Sequence, residues 1–180
     1  MFARNGFEGT SVDEIAALAG VSKQTIYSHF GNKENLFGLA VSARCKTSGI
    51  DPDAIDFDEP PEVILPELAR RFVQLLTSPE AISVHNLCTG SAETHPELGR
   101  QFFKYGPLES VTVVANYLEA QTRAGQLRIE DPRNAAWQLL GMLKAESHIR
   151  LQFKLDPVPA QEIEIYVNDC VDMFLRAYAT

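Results

Sequence analysis

The chain has 180 residues, of which 45% are hydrophobic, and a formal net charge of −8. This length suits one compact domain or a small module joined to a larger one, and the apolar runs are too short and too interrupted by charges for a membrane span. Residues 1–7 lack the long apolar stretch of a signal peptide, and three widely spaced cysteines do not suggest a disulfide framework or a zinc site. These features predict a cytoplasmic protein with reduced cysteines, no metal site and no cofactor.

The charge is unevenly distributed. Residues 1–46 carry five basic and four acidic residues, a net charge of +1, whereas the remainder carries 11 basic and 20 acidic residues, a net charge of −9. The overall acidity therefore belongs to the C-terminal part, and it does not exclude nucleic-acid binding by the N-terminal part.

The first two predicted helices are bounded by glycines. Gly6 is expected to end a short first helix. The sequence Ser11-Val12-Asp13-Glu14 has the Ser/Thr-x-x-Glu pattern of a capping box and is expected to start a second helix, which Gly20 ends.

The next two helices have polar caps. Ser22 is expected to cap a third helix over residues 23–30, and Asn32 a fourth that runs to about Thr47. The acidic segment 51–61 contains three prolines and is expected to be a linker. The predicted domains are therefore residues 1–47 and 48–180.

The C-terminal part is also predicted to be helical, because strand-like alternation never persists and prolines stand at the starts of periodic segments. The expected helices cover residues 62–77, 79–88, 96–105, 107–125, 132–153 and 159–179. The predicted fold class is all-α.

The turn between the second and third helices predicts a helix-turn-helix. Gly20 permits the left-handed backbone of a sharp turn, Val21 is expected to fill the angle between the helices, and Ala16 permits their close approach. The core of this module is predicted to consist of Ile15, Ala16, Leu18, Val21, Ile26, Phe30 and Leu36.

The whole N-terminal string closely resembles the signature of the tetracycline-repressor (TetR) family. It comprises residues 10–16, then Ala-Gly-Val-Ser-Lys-Gln-Thr-Ile-Tyr-Ser-His-Phe at 19–30, then Asn-Lys-Glu-Asn-Leu at 32–36. Residues 2–7 resemble the end of that family's first helix. The resemblance implies a transcription regulator that binds double-stranded DNA as a homodimer, and not an enzyme.

The resemblance also implies a set of DNA contacts. Lys23, Gln24 and Ser28 are expected to reach base edges, since lysine can donate to guanine and glutamine to adenine. The complete predicted set of DNA-contacting residues is Thr10, Ser22, Lys23, Gln24, Thr25, Tyr27, Ser28, His29 and Lys33. Alternatives remain for three of them: Tyr27 and His29 can be packed locally, and Ser22 can serve only as a cap.

One departure from the family pattern concerns the first helix. In the family it begins about a dozen residues earlier, whereas only its last turn is present here. If the native chain begins at Met1, the three-helix core is expected to lose part of its buried face, with an effect on DNA affinity. The alternative is that the sequence is part of a longer native chain that completes the helix.

The C-terminal part resembles the AefR-like subgroup more loosely. The resemblance lies in Pro-Glu-Leu at 96–98, Gly-Pro at 106–107, Gly-Gln-Leu-Arg at 125–128 and the closing Phe174-Leu175-x-x-Tyr178. It implies a ligand-binding and dimerisation domain, with a small-molecule effector of unknown identity.

Two apolar stripes are the predicted dimer interface, because two long helices from each subunit can pack as a four-helix bundle. The stripes consist of Ala136, Leu139, Leu140, Leu143 and Ser147, and of Ile163, Val167, Cys170, Val171 and Phe174. The alternative is that both stripes face the core of their own domain.

A ligand pocket is expected among the helices of residues 62–125. Its predicted lining is Phe72, Leu76, His85, Cys88, Phe102, Phe103, Tyr105, Val114 and Tyr117, with Trp137 a weaker candidate. An ordinary core would have the same composition. His85 and His148 can titrate, but no partner lies at metal-ligand spacing.

These patterns together predict a ligand-responsive repressor that binds a pseudo-palindromic operator as a homodimer and is released by a small, mostly apolar ligand. The competing prediction is a helical ligand-binding or scaffolding protein that does not bind DNA. An enzyme comes third, because no nucleophile, P-loop or metalloprotease motif is present.

Overall fold

The computed structural model describes residues 1–180, and it confirms the all-α prediction. The α-helices are α1 Phe2–Asn5, α2 Val12–Ala19, α3 Lys23–Phe30, α4 Lys33–Thr47, α5 Pro61–Leu76, α6 Pro79–Gly90, α7 Pro96–Phe103, α8 Glu109–Arg123, α9 Pro132–Leu143, α10 Glu146–Gln152 and α11 Ala160–Tyr178. A short 3₁₀ turn lies at Pro52–Ala54, inside the predicted linker. No helix is both long enough and apolar enough to cross a membrane.

The caps predicted at Ser22 and Asn32 are confirmed, whereas Ser11 begins α2 by accepting from the Asp13 N–H without the reciprocal Glu14 bond of a capping box. The side chain of Ser22 accepts a hydrogen bond from the backbone N–H of Thr25 at 3.0 Å, and that of Asn32 accepts one from Asn35 at 2.7 Å. Asp131 caps α9 in the same way. Each bond satisfies a backbone donor that the first turn of a helix leaves free, so the polar residue fixes where the helix begins.

Two helix boundaries differ from the prediction. The helices expected on either side of Gly106-Pro107 form one rod, in which a π turn at Lys104–Leu108 joins α7 to α8. A π turn accommodates a proline that a regular helix would exclude. Conversely, the helix expected over residues 132–153 divides after Leu143. Gly141, in the last turn of α9, is the one helix-weakening residue near that division.

The largest core lies among α5, α8, α9 and α11. The stripes predicted to form the dimer interface are part of it, so that prediction is wrong and its alternative is correct. The buried members are Ala136, Leu139, Leu140, Leu143, Val167, Cys170, Val171 and Phe174, and Ser147 and Ile163 are half-buried. Periodicity identified the buried face of each helix, but one protomer suffices to cover it.

A second, smaller core joins the N-terminal helices to α6 and α7. The rings of Phe2, Phe7 and Phe37 pack against one another, with centroids 5.4–6.1 Å apart, and Cys88 and Leu98 complete the cluster. This cluster takes residues from both sides of the predicted boundary at residue 47. The two parts of the chain are therefore packed together through α1, α4, α6 and α7.

The helix-turn-helix has the smallest core, formed around Val12, Ala16 and Ile26. Gly20 adopts the left-handed conformation, with φ 69° and ψ 28°, that the turn requires. Leu18 and Val21, which were predicted to be buried here, are 81% and 42% exposed. Leu18 lines a shallow depression with residues of α1 and α6, and these helices leave most of its side chain uncovered.

Candidate DNA-reading surface and central cavity

Helix α3 turns nearly all its side chains outward. Only Ile26 is buried, where it anchors the helix to α2, and Phe30 is half-buried. We use the term reading face for the exposed side chains of Lys23, Gln24, Thr25, Tyr27 and Ser28. A short helix held by one buried residue at its centre, with polar groups on its outer side, has the form needed to enter a DNA groove.

The polar groups at the start of α3 are held by local bonds. Ser22 Oγ lies 2.8 Å from Thr25 Oγ1, and the hydroxyl of Ser28 donates to the Thr25 carbonyl at 3.0 Å. Lys23 Nζ donates to Asp13 Oδ2 at 2.8 Å, and this hydrogen bond and the charge of Asp13 raise the pKa of Lys23. Ser22 caps α3, which is the role that the alternative to a DNA contact gave it.

The side chains beyond the reading face are partly engaged. The His29 ring packs edge-on against Phe30, with centroids 5.8 Å apart, yet the residue stays exposed. Lys33 begins α4 and places its ammonium 4.4 Å from the centroid of the Phe7 ring. This contact orients Lys33 at a helix N-terminus, where phosphate binding is favourable.

Thr10 differs from its prediction as a DNA contact. It is 1% exposed, and its hydroxyl donates to the Gly6 carbonyl at 2.6 Å. The side chain therefore closes the loop between α1 and α2 and is not available to a phosphate. The sequence could not distinguish the two roles, because both use a hydroxyl just ahead of a helix.

A cavity of about 540 Å³ lies between the N-terminal helices and the C-terminal helices. We call it the central cavity. Phe2 and residues of α4, including Phe37 and Val41, form one wall, and α5, α6, α7, α8, α9 and α10 contribute the others. Five of the predicted lining residues are present, namely Phe72, Leu76, His85, Phe102 and Phe103, and Trp137, the weaker candidate, also lines it.

Four predicted lining residues lie elsewhere. Cys88 belongs to the cluster around Phe2, where burial raises the pKa of its thiol to about 11. Tyr105 packs so closely over Gly38 that a Cβ at that position would clash with its ring. Val114 and Tyr117 lie in the largest core, and the Tyr117 hydroxyl donates to the Glu59 carbonyl at 2.8 Å. All four are apolar or aromatic, and composition does not separate a core residue from a cavity wall.

Of the polar groups that line the central cavity, the sequence patterns predicted only His85. His148, Lys144, Arg44 and Ser110 all line it. Arg44 lies 4.0 Å from Glu80, which also lines the cavity. None of these residues has a motif around it, and only the packing of α4, α8, α10 and the α9–α10 junction brings them together.

Two histidines form the main polar cluster. His85 Nε2 lies 3.3 Å from Lys144 Nζ, and His85 Nδ1 lies 2.7 Å from the Gln152 amide. Burial, with the charge of Lys144 and the nearby His148, lowers the pKa of His85 to about 4. Burial also lowers the pKa of His148, against the opposing effect of the Leu76 carbonyl. Both rings are therefore neutral near pH 7.

The chain matches two family models. One, described as the AefR-like transcriptional repressor, C-terminal domain, covers residues 64–180, well over half of the chain. The other, described as bacterial regulatory proteins, tetR family, covers residues 1–40. The chain belongs to the TetR family. As a TetR-family protein it is a transcription regulator and not an enzyme.

Individual relatives agree with this assignment. A TetR-family regulator of solved structure from Mesorhizobium loti has a TM-score of 0.77 and 31% identity, covering 99% of this chain and 91% of that one. The Flavonoid-responsive Regulator FrrA has a TM-score of 0.73 and 28% identity, with the same coverage. An HTH-type transcriptional repressor from Streptomyces coelicolor is 41% identical over 59 residues, and this match spans 31% of each chain.

Proposed function

We propose that this TetR-family protein is a ligand-responsive repressor that binds a pseudo-palindromic DNA operator as a homodimer and is released by a small, mostly apolar ligand. One observation carries the proposal: the central cavity is walled in part by α1 and by α4, and α4 packs against α3, the helix that carries the reading face. A molecule bound there would touch α4 and, through α4, act on the position of α3.

The reading face supports a division of labour in the groove. Lys23, Gln24 and Ser28 would contact base edges, while Thr25 and Tyr27 would contact sugar or phosphate. His29 and Lys33 would extend the backbone contacts beyond the face, and Ser22 would act through its cap of α3. We leave Thr10 out of this set, because its hydroxyl is bonded inside the protein.

Ligand release would follow from a shift between two arrangements of the dimer. A ligand that contacts Phe2 and Phe37 would favour one position of α1 and α4 relative to the C-terminal helices. If that position spaces the two reading faces wrongly for one side of DNA, operator affinity falls. A ligand with equal affinity for both arrangements would have no effect.

A different dimer face replaces the stripes that proved to be core. Large apolar side chains remain exposed on α10, on the segment after it and on α11: Ile149, Phe153, Leu155, Ile165, Tyr166 and Met173. The Tyr166 hydroxyl donates to the Met142 carbonyl at 3.0 Å, so this part of α11 lies beside the junction of α9 and α10. Exposed apolar groups clustered in this way are typical of an interface.

The dimer proposal is tested by analytical ultracentrifugation of the wild-type chain and of Met173→Glu. The wild-type chain is expected to sediment as a dimer, and the variant as a monomer at the same concentration, because it places a charge in an apolar interface. Val63→Glu is the matched control, since Val63 and Met173 are both 51% exposed. A monomeric wild-type chain, or equal dissociation of the two variants, would contradict the proposed face.

The regulator proposal is tested by selecting duplexes that bind the wild-type chain from a random pool. We expect sequences with inverted half-sites, bound with an affinity that falls steeply as salt is raised. FrrA is by name flavonoid-responsive, so a flavonoid such as naringenin is a reasonable first effector in the same assay. The absence of any salt-dependent duplex binding would contradict the proposal and favour the competing ligand-binding protein without a DNA target.

A further inference from the structure

One nitrogen of His148 has no partner inside the protein. The residue is 2% exposed and lines the central cavity. Its Nδ1 lies 3.1 Å from the Leu76 carbonyl oxygen, which can only accept a hydrogen bond, so Nδ1 carries the ring hydrogen. The neutral ring then has a lone pair on Nε2, and no donor of the chain reaches that atom.

The neighbouring groups do not supply the missing donor. His85 packs against His148 at right angles, with ring centroids 5.2 Å apart, but both of its nitrogens are occupied by Lys144 and Gln152. The remaining walls near these rings are largely apolar, and a buried acceptor left without a donor costs free energy. The position of His148 therefore favours a ligand that brings its own donor.

The walls define the rest of the ligand. Phe72 and Phe102 line the cavity, and the rings of Phe103 and Trp137 stack there with centroids 6.1 Å apart. Aromatic walls favour a flat ring through stacked and edge contacts. A cationic donor would be repelled by the ammonium of Lys144, which also lines the cavity. The donor is thus expected to be neutral.

We propose that the central cavity binds a neutral aromatic alcohol, a phenol, whose hydroxyl donates a hydrogen bond to His148 Nε2. The inference rests on the proposed ligand-responsive function, but it concerns binding to the protein alone. The bond to Leu76 fixes the tautomer that makes Nε2 the acceptor, and the aromatic walls hold the body of the ligand. His148 is the residue that selects a phenol over the same ring system without a hydroxyl hydrogen.

The test compares 2-naphthol with 2-methoxynaphthalene by calorimetric titration of the DNA-free protein. Both probes are small compared with a cavity of about 540 Å³, and they differ in whether the oxygen carries a hydrogen that His148 can accept or a methyl group. We expect the preference for the naphthol to be about tenfold greater in the wild-type chain than in His148→Phe, which keeps a ring but loses the acceptor. His95→Phe, at an exposed histidine that does not line the cavity, is the control and should retain the wild-type preference.

A wild-type measurement covers the case in which His148→Phe does not fold. In ¹⁵N-labelled protein, 2-naphthol should shift the Nε2 resonance of His148, and 2-methoxynaphthalene should leave it nearly unchanged. Equal preference in the wild-type chain and His148→Phe, an unmoved Nε2 signal, or no binding of either probe would overturn the inference. Because no DNA is present, loss of operator binding alone would contradict the regulator proposal and leave the phenol site standing.

Discussion

Helices α3 and α9 differ in which way their side chains point. In α3 only Ile26 is buried, whereas α9 buries Ala135, Ala136, Leu139, Leu140 and Leu143. The exposed side chains of α3 are not needed to hold the fold together. Their order along the chain was therefore enough to predict a helix that contacts DNA. The inward side chains of α9 serve both the core and the cavity, and only the assembled structure separates the two roles.

The largest expected effect tests whether the C-terminal helices are the stable part of the molecule. Leu139 has no exposed surface in the centre of the largest core. Leu139→Ala should lower the free energy of unfolding by about 2–5 kcal/mol, because it removes apolar contacts and leaves a cavity. Urea unfolding followed by circular dichroism measures the loss. Leu18→Ala is the control, and a comparable loss there would contradict the contrast.

Acid should destabilise the folded chain through the two histidines that line the central cavity. An unperturbed histidine titrates near pH 6.5, whereas the pKa of His85 is about 4 and that of His148 is also lowered. Below about pH 6.5 these histidines take up protons in the unfolded chain but not in the folded chain. The free energy of unfolding is therefore unaffected by them above that pH and falls as the pH approaches 4. The slope is at most about 1.4 kcal/mol per pH unit for each histidine.

Urea unfolding between about pH 7 and about pH 4.5 measures this dependence. His85→Phe should make the curve shallower, because one of the two histidines no longer titrates. His29→Phe changes an exposed histidine of α3 and should leave the curve as it is. Equal curves for all three proteins would show that the buried histidines do not control acid stability.

The reading face should separate base recognition from backbone binding. Gln24→Ala is expected to relax the preference at one base pair of the selected operator by about 1–3 kcal/mol. Lys33→Ala should weaken binding to every duplex and reduce the salt slope by about one. Fluorescence anisotropy on the operator and on single-base variants measures both. Identical behaviour of the two variants would contradict the division of roles.

The smallest effect concerns the ion pair between Lys23 and Asp13. Both side chains are largely exposed, at 48% and 65%, so Asp13→Ala should change folding stability little. The substitution frees the lysine for the groove and should tighten operator binding at low salt by no more than about fivefold. Glu14→Ala removes a neighbouring exposed carboxylate without a bond to Lys23 and should tighten binding less.

The sequence predicted what depends on near neighbours. Ser22 and Asn32 cap their helices through residues three positions along, and Gly20 forms its turn within four residues, so short patterns sufficed. The cavity depends on distant pairs: His148 is bonded to Leu76, 72 positions away. Leu18 has the spacing of a core residue, but burial needs a second surface, and spacing within one helix does not supply it.

The π turn at Lys104–Leu108 determines which faces of α7 and α8 point toward the interior. One residue corresponds to about 100° of rotation around a helix. A π turn contains one residue more than a regular turn, so it rotates all of α8 relative to α7 about the shared axis. Deleting one residue there would turn Val111, Val114 and Tyr117 away from the core while leaving their sequence intact. The extra residue thus sets the rotation of α8 about the helix axis. With it, side chains of α7 line the cavity while side chains of α8 pack in the core.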